Sequence, residues 1–343
     1  MASVKRVARS NTSLSSVEIC AGAGGQALGL DLAGFSHRAT YEIDTFAHQT
    51  LLDNRPEWNP ICADVRDLDG RDFRGVDLFA GGVPCPPFSV AGRQLGADDE
   101  RDLFPTALRL VEEARPAAVM LENVPGFARS KFASYRDGVI TRLTSLGYTF
   151  VDWKLLNACN FGVAQLRPRF VLIALKGPAA SRFRWPGNPT AHPTVGEALG
   201  DLMGANGWRG TARWVKRASG VGPTLVGGSK LHGGPDLGPT RAKCAWRELG
   251  VDGMGIANEA PGREFPANGL PKLTVRMAAR LQGFPDAWQF SGRKTAQYRQ
   301  IGNAFPPPVA EAVGRRIASA LWNVDIDAEP LSMKAEKSRR GAA

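Results

Sequence analysis

The sequence predicts an α/β protein, a parallel sheet with helices on both faces, interrupted by a small irregular second unit. Three observations carry this. An apolar strand-like segment, a glycine turn and a helical pattern follow one another over residues 16–32. Short apolar runs at 38–43, 60–65, 76–80 and 117–121 alternate with segments of helical length, the arrangement that βαβ units require. The texture then breaks over 177–272, which holds 19 of the chain's 39 glycines in 96 of its 343 residues.

In chain order, residues 1–15 are polar and carry Lys5, Arg6 and Arg9 with no apolar segment behind them, so they read as a disordered basic tail and not a signal peptide. Ser16 to Cys20 is a buried strand, Ala21 to Gly25 a turn, and the following helix places Leu28 and Leu32 on one face. In 103–114, Leu103, Ala107, Leu110 and Ala114 form a helical stripe. The runs Tyr148 to Leu156 and Phe170 to Leu175 lie close together and read as an antiparallel addition at one edge of the sheet. The first part of the large unit is thus 16–176.

Residues 177–272 show almost no helical periodicity, yet Phe183, Trp185, Trp208, Trp214, Leu225, Trp246 and Leu249 supply enough apolar anchors for an ordered small domain. Regular structure returns with Leu273 to Leu281 in a closing part at 273–327. There, Pro306-Pro307-Pro308 opens an amphipathic helix carrying Val309, Val313, Ile317 and Leu321. A second basic tail occupies 328–343.

Charge narrows the partners. Lys and Arg number 43 against 33 Asp and Glu, a formal +10, and 177–272 alone holds twelve basic against seven acidic residues; an anionic partner is implied, nucleic acid first. The five cysteines at 20, 62, 85, 159 and 244 form no C-x-x-C pair, so neither a zinc site nor a disulfide framework is indicated, and a reducing cytoplasm fits. No apolar run approaches the roughly 20 residues that span a bilayer.

Four groups of residues could do chemistry. Gly22-Ala23-Gly24-Gly25-Gln26-Ala27 satisfies G-x-G-x-x-G/A, and Glu42 follows Gly22 by 20 residues at the end of the next strand, where a carboxylate can accept from a ribose. NAD, FAD and S-adenosylmethionine all carry that ribose, so the pattern names a nucleoside cofactor and not a reaction. Asp64 follows the third strand and could accept from an adenine amino group. Cys85 stands in Val83-Pro84-Cys85-Pro86-Pro87-Phe88-Ser89, on a loop stiffened by proline; the alternatives are a nucleophile and a buried structural thiol. Glu122, in Leu121-Glu122-Asn123-Val124-Pro125, ends a strand at the edge where open α/β sheets place ligands. Gln165, Arg167 and Arg169 share an i, i+2, i+4 spacing that on an extended segment aims all three one way.

Together these residues resemble the DNA cytosine-5 methyltransferases of the prokaryotic type, over about 16–322. Ile19 to Gly25 resembles the family's first cofactor motif, Gly82-Val83-Pro84-Cys85 its catalytic motif, and Glu122-Asn123-Val124 and Gln165-x-Arg167-x-Arg169 two more. Arg280 to Pro285 and Gln300 to Ala304 resemble the last two, with the glycine-rich segment between the fourth and fifth. The resemblance implies a Rossmann-like S-adenosylmethionine-dependent sheet with a target-recognition domain at 177–272. It implies Cys85 as the thiolate that adds to cytosine C6, Glu122 as the acid at N3 and the exocyclic amine, and Arg167 as the partner of O2.

The cofactor would be held by Cys20, Gly22, Ala23 and Gly25, its ribose by Glu42 and its adenine by Ile43, Asp64 and Val65. Pro84 and Leu103 would line the methionine side, and Asn303 and Ala304 would close it; the product is S-adenosylhomocysteine and no metal is required. Cys20 and Ile43 stand where many members carry larger aromatic residues, and Pro86 where many carry glutamine.

The same resemblance implies double-stranded DNA with the target base flipped out, a lid at Cys85 to Arg101, action as a monomer, and a companion restriction endonuclease. On the DNA side it places Ser89, Asn123, Val124, Gln165, Arg169 and Thr224 of a Thr-Leu pair, with Arg209, Arg213, Lys230, Arg241 and Lys243 as base or phosphate contacts. An RNA cytosine methyltransferase would share the pocket without the long variable segment. A NAD-dependent oxidoreductase would leave Cys85, Glu122 and Arg167 unexplained, and a silent DNA-binding module would not need Cys85 and Glu122.

Overall fold

The structure, a computed structural model, describes residues 13–84, 102–187, 192–227 and 236–324. Cys85, Ser89, Lys230, the segment to Arg101, residues 1–12 and the tail at 328–343 lie outside the described residues, whereas Leu14 and Ser15, expected in the N-terminal tail, open the first strand and pair with Phe35 and Ser36.

Seven strands form one sheet in the order β3-β2-β1-β4-β5-β7-β6. They are β1 (Leu14–Ile19), β2 (Phe35–Glu42), β3 (Pro60–Cys62), β4 (Leu78–Gly81), β5 (Ala118–Asn123), β6 (Phe150–Asn157) and β7 (Pro168–Leu175). The first five are parallel. The last two enter antiparallel, β7 against β5 and β6 at the outer edge, which is the edge addition that the close spacing of their apolar runs predicts.

Both faces of the sheet are covered, which is why its central strands are apolar without alternation. Leu78, Ala80, Met120 and Ile173 pack with Val309, Val313 and Ile317 on one face. Phe79, Val119, Leu121 and Leu172 pack with Phe104, Ala107 and Leu110 on the other. The first group lies under α11 (Pro307–Trp322), the second under α3 (Phe104–Ala114), so both amphipathic patterns in the sequence have found their partners.

The first helix, α1 (Gly25–Leu32), departs from its expected stripe: Leu28 is buried but Leu32 is 50 % exposed. The buried side is built on Gly29 instead. A Cβ there would stand 2.4 Å from both Ala310 Cβ and Pro307 O, so α1 and α11 touch almost backbone to backbone. The chain's two ends are further tied by Trp288, whose Nε1 donates to Ala23 O at 3.1 Å.

The glycine-rich segment is more helical than its sequence suggests. It contains α5 (Gly177–Arg182), α6 (Val195–Met203), α7 (Thr211–Arg217) and α8 (Thr240–Glu248). Helices of six to nine residues make barely two turns, too few to display a period. Its packing does not change at 177 either, because Ala179, Ala180 and Phe183 join the layer beneath α11, and Arg182 Nε donates to Ala320 O at 2.8 Å. From 192 onward the segment has its own centre in Leu199, Trp208, Trp214, Leu225 and Trp246, continuous with α9 (Val275–Leu281). Arg280 of α9 bridges to Asp201 of α6 and to Asp286.

Candidate active site

A cleft of about 420 Å³ opens at the carboxyl ends of β2, β1, β4 and β5. Its wall on one side is the turn after β1, where Cys20, Gly22 and Gly24 all have positive φ. A left-handed cysteine is strained, whereas glycine adopts that backbone freely. The turn is braced by Glu42: Gly22 N donates to Oε2 at 2.7 Å and Asp44 N to Oε1 at 2.8 Å. Burial raises the Glu42 carboxyl, and those backbone N–H groups oppose the rise. Gly25 is pressed against the C-terminal segment, since a Cβ there would meet Phe305 O at 2.2 Å.

Of the residues expected to hold the cofactor, Cys20, Gly22, Ala23, Glu42, Pro84, Asn303 and Ala304 line this cleft. Gly25, Ile43, Asp64, Val65 and Leu103 do not. Ile43 is 62 % exposed, and Val65 and Leu103 belong to the layer beneath α3. Asp64 accepts from Arg66 through both Nε contacts, at 3.0 and 3.1 Å, and its carboxyl is held below the usual range by that guanidinium.

At the other end of the cleft lies Glu122, the penultimate residue of β5. It pairs in register with Val171, so Arg169, two residues earlier on β7, is its diagonal neighbour on the same face. Arg169 Nε stands 2.6 Å from Glu122 Oε1 with both side chains nearly inaccessible, although the N–H is not aligned on that oxygen. Burial raises the Glu122 carboxyl, and Arg169 and then Arg167 pull it down. Asn123 next to it turns away from the cleft. Its Nδ2 donates to Val83 O at 2.9 Å and its Oδ1 accepts from Val124 N at 2.8 Å. Asn123 therefore anchors the peptide two residues before Cys85, and the expected DNA contact is not available to its buried amide. Leu103 N donates to Pro84 O at 3.3 Å, which closes the base of the segment that carries Cys85. Val124 is exposed beside these residues.

The basic triplet corrects the sequence reading most sharply. Arg167 is 1 % exposed, and its guanidinium donates to Leu225 O at 2.7 Å, Gly302 O at 2.6 Å and Ala304 O at 2.9 Å. Through its two terminal nitrogens it fastens the insert and the C-terminal segment to the sheet, while its buried Nε has no hydrogen-bond partner. Gln165 is equally committed: its Nε2 donates to Leu281 O and Gln282 Oε1, and its Oε1 accepts from Leu225 N. The alternation rule fails here because the strand begins only at Pro168, while Gln165 N reaches back to Val163 O in a tight turn. Arg169, inside the strand, is the member that meets Glu122.

The insert's candidates divide. Thr224 donates its hydroxyl to Leu166 O and Leu225 is wholly buried, so the Thr-Leu pair docks the insert onto the sheet. Arg213 donates to Ala267 O at 2.6 Å, and Lys243 is paired with Asp236 at 2.7 Å. Arg209 is exposed in the loop before α7 and Arg241 is exposed on α8.

The sequence reading missed Glu18, Gln26, Arg299 and Gln300, all of which line the cleft. Glu18 and Gln26 left a signal: an acidic residue inside an apolar strand and an amide on the buried side of a helix start. A second cleft of about 450 Å³, lined by Asn206, Glu259, Arg276 and Gln289 among others, holds none of these residues. Among the described residues no cluster of His, Cys, Asp or Glu is suited to a metal, and no helix is long and apolar enough to cross a membrane.

A doubly covered, mainly parallel sheet with a braced glycine turn, and a buried carboxylate–guanidinium pair at the far end of one cleft, defines a nucleoside-cofactor enzyme of the α/β class. The chain belongs to the C-5 cytosine-specific DNA methylase family, whose sequence profile matches residues 14–319. It is 58 % identical over 315 residues to the type II methyltransferase M.NaeI of Lentzea aerocolonigenes, covering 90 % of this chain and 76 % of that protein. It is 53 % identical to M.NgoMIV of Neisseria gonorrhoeae, covering 89 % and 97 %. Among solved structures, one described as a DNA modification methyltransferase encoded within an E. coli prophage superposes with a TM-score of 0.62 at 25 % identity, covering 91 % of this chain and 99 % of that one. A DNMT2 from Spodoptera frugiperda, 18 % identical with a TM-score of 0.63 over 89 % and 100 % of the chains, shares the fold. The enzyme is therefore a cytosine-5 methyltransferase, and its family implies S-adenosylmethionine as the methyl donor.

Proposed function

We propose that this enzyme is the modification methyltransferase of a type II restriction–modification system, methylating one cytosine of a specific double-stranded sequence in the cytoplasm as a monomer, with a companion endonuclease directed at the same site. The observation that carries the reading is the Glu122–Arg169 pair at the end of the cleft, beside the Asn123 anchor of the Cys85 segment. The cleft suits S-adenosylmethionine: Glu42 has lone pairs left for ribose hydroxyls, and Glu18 and Gln26 present buried polar atoms that no protein group satisfies. When bound, that cofactor supplies an electrophilic methyl group and leaves as S-adenosylhomocysteine.

The chain's own residues make the cytosine ring a nucleophile. The Cys85 thiolate adds to C6, and the electron pair moves toward C5 and N3. Glu122, raised by burial, keeps a proton available for N3 and accepts from the exocyclic amine. Arg169, in place of Arg167, donates to O2 while holding Glu122 in position. Loss of the C5 proton and departure of Cys85 then release 5-methylcytosine. The insert from about 192 to 272 reads the flanking bases, with Arg209 and Arg241 as the guanidinium groups placed for it.

An oligonucleotide carrying 5-fluorocytosine in the target site tests this in the presence of S-adenosylmethionine. A stable covalent protein–DNA adduct with the wild type, and none with Cys85→Ser, is the expected result. Adduct formation with an equivalent RNA and not with duplex DNA would refute the substrate assignment.

A further inference from the structure

We infer that Gly227, in the insert, is a positioning residue for the methyl-transfer site: it seats the DNA-reading insert against one wall of the cofactor cleft, so that DNA held on the insert and cofactor held in the cleft strengthen each other's binding. The inference rests on the function proposed above and adds a link between its two substrates. Gly227 lies against the end of α10 (Lys294–Asn303) with no side chain between the two backbones. A Cβ on Gly227 would stand 2.4 Å from Asn303 Oδ1 and 2.5 Å from Arg299 O. One on Gly302 would stand 2.3 Å from Gly227 N and 2.5 Å from Gly227 Cα. Neither glycine has a positive φ, so closeness of approach and not an unusual backbone conformation selects them.

Two polar routes bind the same two stretches of chain. Arg167 holds Leu225 O through one terminal nitrogen and both Gly302 O and Ala304 O through the other. Separately, Leu225 N donates to Gln165 Oε1 at 2.8 Å, Gln165 Nε2 to Gln282 Oε1 at 2.8 Å, and Gln282 Nε2 to Ala304 O at 2.5 Å. Gln165, Arg167 and Gln282 are all buried, where polar groups have no water to fall back on and their bonds are costly to stretch. Residues 225–227 and 302–304 therefore move as one piece. On the insert side of that piece Val226 is exposed. On its other side Asn303 and Ala304 line the cleft together with Cys20, Gly22 and Glu42. A close-packed contact transmits a shift instead of absorbing it, so a ligand that fixes either side also fixes the other. The gain is reciprocal: DNA must tighten the cofactor by the factor by which the cofactor tightens DNA.

S-adenosylhomocysteine, which has no methyl group to transfer, is titrated calorimetrically into the enzyme alone and into the enzyme saturated with a short duplex. The duplex carries a site that bisulfite sequencing shows the enzyme to methylate. The wild type is expected to bind S-adenosylhomocysteine about 5- to 150-fold more tightly when the duplex is present. Gly227→Ala is expected to bring that ratio to within about twofold of one, because its Cβ forces the two backbones apart. Gly138→Ala, in α4 (Ala133–Ser145) where a Cβ meets nothing, is expected to keep the wild-type ratio. A general loss of stability lowers the melting temperature and leaves the ratio of the folded protein unchanged. Thr224→Val removes the hydroxyl's bond to Leu166 O without placing an atom between the two glycines, so it serves as the second variant if the alanine does not fold, and it is expected to lower the ratio as well. A wild-type ratio near one, or an unchanged ratio in the Gly227 and Thr224 variants, overturns the coupling and leaves the proposed function standing. A wild type that binds neither the duplex nor S-adenosylhomocysteine removes that function and the coupling with it.

Discussion

Replacing Arg167 by leucine tests whether this arginine serves the substrate or the fold. Its guanidinium makes three charge-assisted bonds, of 2.6 to 2.9 Å, to carbonyls of the insert and of the C-terminal segment. At about 1.5 to 3 kcal/mol for each hydrogen bond to a charged group, the sum would exceed about 4 kcal/mol. The desolvation of a buried guanidinium, which also pushes its pKa well below the ordinary value, offsets part of this. The three carbonyls lose their partner in the variant, so a net loss of about 3 to 5 kcal/mol is expected, as for one half of a buried charged contact. For a chain of this length that corresponds to a fall in Tm of about 4 to 7 °C. Differential scanning calorimetry reads it directly, with Arg169→Leu as the comparison. A variant that melts with the wild type yet loses turnover would return Arg167 to the substrate and refute the structural assignment.

Three further outcomes follow from the site. Glu122→Gln is expected to lower turnover about 10²- to 10⁴-fold, and to abolish a basic limb in the pH–rate profile, because the raised Glu122 carboxyl must keep its proton and loses it as pH rises; an unchanged profile would exclude it as the acid. Glu18→Gln is expected to stabilise the ligand-free protein above the ordinary carboxylate range. Burial, then Glu42, raises its folded pKa well above 4.5, so the native state binds more protons than the unfolded one and wild-type stability falls as pH rises through that interval; equal urea midpoints for variant and wild type at pH 8 would contradict this. Arg241→Ala or Arg209→Ala, if either contacts a base, should cost about 1 to 3 kcal/mol and relax preference at one position. Bisulfite sequencing of a methylated random library measures that shift, and a uniform loss across all sequences would make the residue a phosphate contact instead.

The parts of this enzyme legible in its sequence are those governed by local pattern. The strand, glycine turn and Glu42 announce themselves because a tight turn and a strand-end carboxylate need particular residue types at fixed spacing, and the structure joins them through Gly22 N. The stripes of α3 and α11 are equally plain, since each buries one continuous face. What sequence could not give is which of two arginines two residues apart meets Glu122. That depends on where β7 begins and on partners near 225 and 302, far away along the chain. The short helices of the insert were hidden for a related reason: their burial is decided by Trp208, Trp214 and Trp246 meeting at long range, not by a period within any one of them.

The backbone contact between α1 and α11 has a consequence for synthesis. Translation at about 5 to 20 residues per second takes roughly 15 to 70 s for a chain of this length. For nearly all of that time Gly25 and Gly29 face water where Phe305, Pro307 and Ala310 will later stand. The cleft's wall at Asn303 to Phe305 and the helix behind it are synthesised long after the glycine turn against which they close. The insert is therefore synthesised in full before the segment that closes the cleft exists, so the wall from Asn303 to Phe305 can seat only after the rest of the cleft has been made.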